Sequence, residues 1–175
     1  MDFTVLLPEG WARIPLDGRE NARATALARA KTAGLAEPQR QAAIQKLQLV
    51  IREALRQARQ AGGTDILLSL AELNGLPIVA SCLVSYAEHH EPVPLDSLAA
   101  ELNAGNGEVS EIEITAGPAI RHAFTEDPLS RVDYHLHIPG RTGVLTLAFS
   151  TPSGPLAGAL IMLFDAIAES MRWQL

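Results

Sequence analysis

The feature that most constrains this fold is a change of hydrophobic period at Gly62-Gly63. Before the glycines, Ile44, Leu47, Ile51, Leu55 and Ala58 recur at helical spacing, with Arg40, Lys46, Arg52, Arg56 and Arg59 mostly on other faces. Glu37-Pro38 opens this amphipathic helix, with proline in its first turn. An Ala-rich helix precedes it, starting near Gly18 or Arg19 behind an Asp17 cap and ending at Gly34. After the glycines the period falls to two, which is the spacing of strands. Helices followed by strands predict the α+β class: a mainly antiparallel twisted β-sheet packed with α-helices.

The strand half reads in detail. "TDILLSLAEL" and "LPIVASCLVSYAE" are two strands joined by an Asn74-Gly75 hairpin turn. The second is apolar on both faces (Ile78, Ala80, Cys82 and Val84 on one, Val79 and Leu83 on the other), as in a strand covered on both sides. "PLDSLAAELNAG" is a short helix. "EVSEIEIT", "PAIRHAFTE", "RVDYHLHI" and "GVLTLAFST" then form an antiparallel meander, with turns at Gly117-Pro118, Asp127-Pro128 and Pro139-Gly140. A last helix from Pro155 to Trp173 carries an apolar stripe that lays it across the sheet. At the start of the chain, "FTVLL" and "WARIPL" flank Pro8-Glu9-Gly10, a hairpin or a sharp corner.

At 175 residues and 47% hydrophobic, the chain is read as one α+β domain, residues 1–175. The lone Cys82 allows no internal disulfide, which suits a reducing cytoplasm. The N-terminus carries acid where a signal peptide needs base. The apolar run "PLAGALIMLF" is about half the ~20 residues of a membrane span, so no membrane association is expected. The net charge of −6 is split: Arg19–Arg59 holds nine Lys/Arg against three Asp/Glu, and Gln60 onward four against fourteen. That split predicts layers that attract each other; other readings are a basic docking face for an acidic partner, or a homo-oligomer in which basic helices meet an acidic sheet. Nucleic acid is not an expected partner, because no aromatic residue stands among those arginines.

Motifs for chemistry are sparse. No phosphate-binding glycine loop, G-x-S-x-G elbow, C-x-x-C or H-E-x-x-H occurs. What remains is "RVDYHLHI", which sets Asp133, His135 and His137 on one strand face and Val132, Tyr134, Leu136 and Ile138 on the other. An Asp-x-His-x-His column offers ligand types that suit zinc or iron, but same-face neighbours stand roughly 7 Å apart and converge poorly. On the adjacent strand Arg121 is expected on the polar face, where a cation opposes metal, and His122 on an apolar face with Ile120 and Phe124. The column is therefore read as a solvated or partner-facing surface, with Asp133, His135, His137 and Arg121 as its binding residues. No metal and no cofactor are expected. Trp11 and Trp173 close the core against its edges, or serve as partner anchors if exposed.

The opening "FTVLLPEGW" resembles the strand and Pro-x-Gly-Trp start of PsbP-like domains, a fold class that includes a Ran-binding nuclear import factor and LpqN-type mycobacterial lipoproteins. The stretch from His137 to Trp173 is similar to the ending of uncharacterised actinobacterial proteins, and twelve arginines against two lysines fit a GC-rich genome. The resemblance implies binding and scaffolding rather than catalysis, and supplies no catalytic residues. The expectation is a non-enzymatic cytoplasmic interaction or adaptor module that binds another protein, with a link to secretion implied by the family. The alternative is a metal- or small-ligand-binding protein, or an enzyme, using Asp133, His135 and His137.

Overall fold

The computed structural model describes residues 2–74 and 76–174. In chain order the elements are β1 (Asp2–Thr4), β2 (Trp11–Pro15), α1 (Glu20–Lys31), α2 (Gln39–Gln60), β3 (Gly63–Ser69), β4 (Glu72–Leu73), β5 (Leu76–Pro77) and β6 (Ser81–Ala87). They continue as α3 (Leu95–Asn103), β7 (Glu108–Ile114), β8 (Gly117–Glu126), β9 (Leu129–His137), β10 (Val144–Pro152), α4 (Ala157–Glu169) and β11 (Arg172–Gln174). The protein is α+β, with a large sheet of strand order β2-β3-β6-β10-β9-β8-β7. The β6-β10, β10-β9, β9-β8 and β8-β7 pairings are all antiparallel. The chain falls into two compact units, residues 1–12 with 67–175, and residues 13–66.

The larger unit holds the meander, as the period of two predicts. Alternation sends Leu145, Leu147 and Phe149 of β10, and Val132, Tyr134 and Leu136 of β9, to one face, where all six are buried. Helix α4 lies on that face. Phe164 stacks on Phe149 with ring centres 4.9 Å apart, and Tyr134 meets Phe149 edge-on at 5.8 Å. Cys82 and Val84 of β6 complete the layer. Burial pushes the Cys82 thiol well up, which leaves it an inert hydrophobe.

One open alternative is decided and three expectations need correction. Strand β1 does not pair with β2: it pairs with β11, setting Phe3 beside Trp173, and Pro8–Gly10 is a sharp corner in which the Trp11 amide donates to the Pro8 carbonyl at 3.1 Å. The last helix stops at Glu169, where the Ser170 hydroxyl donates to the Ile167 carbonyl at 2.7 Å, so Trp173 lies in a strand. The two expected strands around Asn74 are each interrupted, leaving the short β4-β5 ladder at their tip. Asn74 has φ +54°, as a tight turn requires, and Gly75 lies outside the described residues. Val79, expected under cover, is 61% exposed, because it precedes the first residue of β6.

The smaller unit is a helical pair. Helix α2 buries Ile51, Leu55 and Ala58 of the stripe its spacing predicts and leaves Ile44 and Leu47 half-buried, and α1 buries Ala24 and Ala28. Arg59 of α2 pairs with the buried Glu20 of α1, and Arg13 pairs with Asp65 at 2.7 Å. Asp17 accepts from the Arg19 amide at 3.0 Å and pairs with Arg23.

Candidate functional site

The polar column of β9 is largely withdrawn from water. Asp133 is 9% exposed, His135 and His137 are half-buried, and β8 sets His122, 8% exposed, directly across from Asp133. The chain crosses from β6, inside the sheet, to β7 at its edge through residues 88–107, and α3 on this crossover packs on β7 and β8. Histidines hold both ends of it. His137 Nε2–H donates to the Val93 carbonyl at 2.5 Å, and His122 Nε2–H donates to the Asn106 carbonyl at 2.8 Å. The Thr142 hydroxyl adds a bond to the His89 carbonyl at 2.5 Å. Gly107 is pressed onto β8: a Cβ there would lie 2.5 Å from the Ala123 carbonyl oxygen, at a φ of +108°.

Two atoms in this column are buried without a hydrogen-bond partner among the described residues, Asp133 Oδ1 and His135 Nε2. The other nitrogen of His135 meets the Thr146 hydroxyl at 3.0 Å. Burial pushes the Asp133 carboxyl up to about 6, with Arg131 and His122 pulling the other way. Burial pushes the His135 imidazole down to about 4, and His122 adds to the shift. Among the described residues no group of three or more His, Cys, Asp or Glu side chains is arranged to hold a metal ion.

Arg121 does not join this face. Its register partner is Tyr134, so it lies on the α4 side, where its guanidinium binds Asp165 at 2.7 and 3.3 Å. Tyr134 donates its hydroxyl to the same carboxylate. Burial and that carboxylate push the phenol up, so Tyr134 stays protonated and donates; the Asp165 bond pushes Arg121 up, and Tyr134 and Arg121 together clamp α4 on the sheet through Asp165. His122 is the residue that sequence reasoning separated from the column. Its alternation with Ile120 and Phe124 was legible, but the β8-β9 register that sets it beside Asp133 was not.

Trp11 and Trp173 are both half-buried against the core. Trp11 meets Phe164 edge-on at 6.4 Å, and Trp173 Nε1–H donates to the Ala116 carbonyl at 2.9 Å. Their aromatic surface is engaged within the chain, as closing residues.

A different surface stands open at the sheet edge. A groove of ≈ 320 Å³ is lined by Leu95 and Asp96 of α3, Glu111, Ile112 and Glu113 of β7, and Pro118, Ala119 and Ile120 of β8. Asp96, Glu108, Glu111 and Glu113 are exposed, and none forms an ion pair among the described residues. The charge split of the sequence follows the two units. The larger carries fifteen Asp/Glu against four Lys/Arg, net −11; the smaller carries five against ten, net +5. Of the four basic residues in the larger unit, Arg121 is committed to Asp165 and Arg131 to Glu126 and Asp133.

No protein-family model matches the chain, and no curated protein matches it. No helix is long and apolar enough to cross a membrane among the described residues.

Proposed function

We propose that the protein is an interaction module whose larger unit captures a basic protein partner. The observation that carries this reading is the acidic excess of that unit, a formal net −11, together with the exposed Asp96, Glu111 and Glu113 that line an open groove and form no ion pair among the described residues. Carboxylates facing water without counter-charges attract a cationic partner over about 10 Å at ordinary ionic strength, and repel polyanions. The adaptor role and the PsbP-like resemblance are consistent with such a surface. The test is retention of the whole chain on immobilised lysine-rich and glutamate-rich polypeptides. Retention on the lysine-rich one alone, lost as salt rises, supports the reading. No retention, or preference for the glutamate-rich one, overturns it.

A second reading rests on the unpartnered Asp133 Oδ1 and His135 Nε2. A small polar ligand bound in the column would supply the hydrogen bonds these atoms lack. Native mass spectrometry of the purified chain tests it: a bound mass lost on His135→Ala supports it, and a bare chain counts against it.

A further inference from the structure

We propose that the open edge of β7 takes up an extended basic segment of the partner as an eighth strand. This rests on the acidic-docking reading above and names the geometry of its partner. Strand β7 is seven residues long and pairs on one side only, with β8. Its outer row of N–H and C=O groups has no ladder partner among the described residues. Such rows are templates for strand addition, and proteins blunt them with proline, bulges, short length or charge. Strand β7 contains no proline or glycine, and its register with β8 runs unbroken from Glu108 to Ile114. Its one defence is acid: Glu108, Glu111 and Glu113.

That defence selects by sign. Two copies of β7 laid edge to edge would bring glutamates together and repel. A strand carrying Lys or Arg would be drawn in. Glu111 and Glu113 are two residues apart, so they project to one face of the sheet, the face that α3 closes with Asp96 in the shared groove. The register therefore specifies the partner: basic residues at every second position on the groove side, and apolar residues between them, alongside Ile112 and Ile114. A helix cannot answer the edge, because its own backbone groups are already paired.

The experiment uses the whole chain and fluorescence anisotropy with short labelled peptides. The first alternates lysine with valine. The second has the same composition with its lysines in one block. The third is the first with alternate backbone amides N-methylated. The proposal expects the first to bind, the second to bind about tenfold more weakly, and the third to lose binding. Glu111→Lys with Glu113→Lys, at two exposed positions, should weaken the first peptide about tenfold, the loss of two rim charge pairs turned repulsive. Circular dichroism confirms that this variant is folded. Equal binding of all three peptides overturns strand addition while leaving acidic docking intact; unchanged binding by the double variant overturns both. Binding of none of them overturns both. Self-association of the chain that the first peptide displaces would assign the edge to a second copy, and also overturns the proposal.

Discussion

Replacing Asp133 with asparagine should stabilise the protein at neutral pH and not in acid. Asp133 is 9% exposed and its carboxyl is held at about 6, against 3.8 for a free one. The native state therefore holds this proton to a higher pH than the unfolded chain does. Stability from this group is fullest below about pH 4 and is lost as the pH rises to about 6. A gap of about two units corresponds to about 3 kcal/mol, the cost of keeping an ionised carboxylate in this site at neutral pH. Asparagine fills the same volume without ionising. The difference in unfolding free energy, variant minus parent, should rise by about 2–3 kcal/mol between about pH 4 and about pH 6, then level off. His135 runs the other way: its imidazole is lowered to about 4, so its contribution is lost as the pH falls through that range. It is present in both proteins, so it cancels in the difference. Urea unfolding followed by tryptophan fluorescence measures this at each pH. A difference that stays flat with pH would refute the burial argument for Asp133, whatever its absolute value.

Other consequences follow from single contacts. Gly107→Ala should cost about 2–4 kcal/mol in urea unfolding, since its Cβ meets the Ala123 carbonyl at 2.5 Å and its φ is +108°. The same substitution should loosen the crossover, seen as faster hydrogen exchange across residues 93–107. Tyr134→Phe removes a hydrogen bond to the Asp165 carboxylate, and should lower stability by about 1–3 kcal/mol in the same assay. Phe149→Ala opens a cavity between Phe164 and Tyr134, and should cost about 3–5 kcal/mol in thermal or urea unfolding.

The legible parts of this fold are those set by local pattern. The period of two marked all four meander strands to within a few residues, because each buries one face in a continuous layer. Gly62, at φ +74°, ends α2 as a glycine in the left-handed region should. The missed parts depend on residues far apart in the chain. Strand β1 meets β11 across almost the whole sequence, and nothing near Phe3 encodes that partner. Strand alternation put Asp133, His135 and His137 on one face correctly, but could not say that the crossover is held by His137 and His122 at its two ends. It placed Arg121 on the wrong face, because only its register with Tyr134 shows that it lies on the α4 side. The acidic edge was visible as "EVSEIEIT", but its openness depends on β7 being last in the sheet.

The most direct test of the account is amide hydrogen exchange of the whole chain with and without the alternating lysine–valine peptide. Strand addition at β7 gives new protection at alternate amides of residues 108–114, with α2 unchanged. Protection that falls on α2, or none within β7, would contradict it.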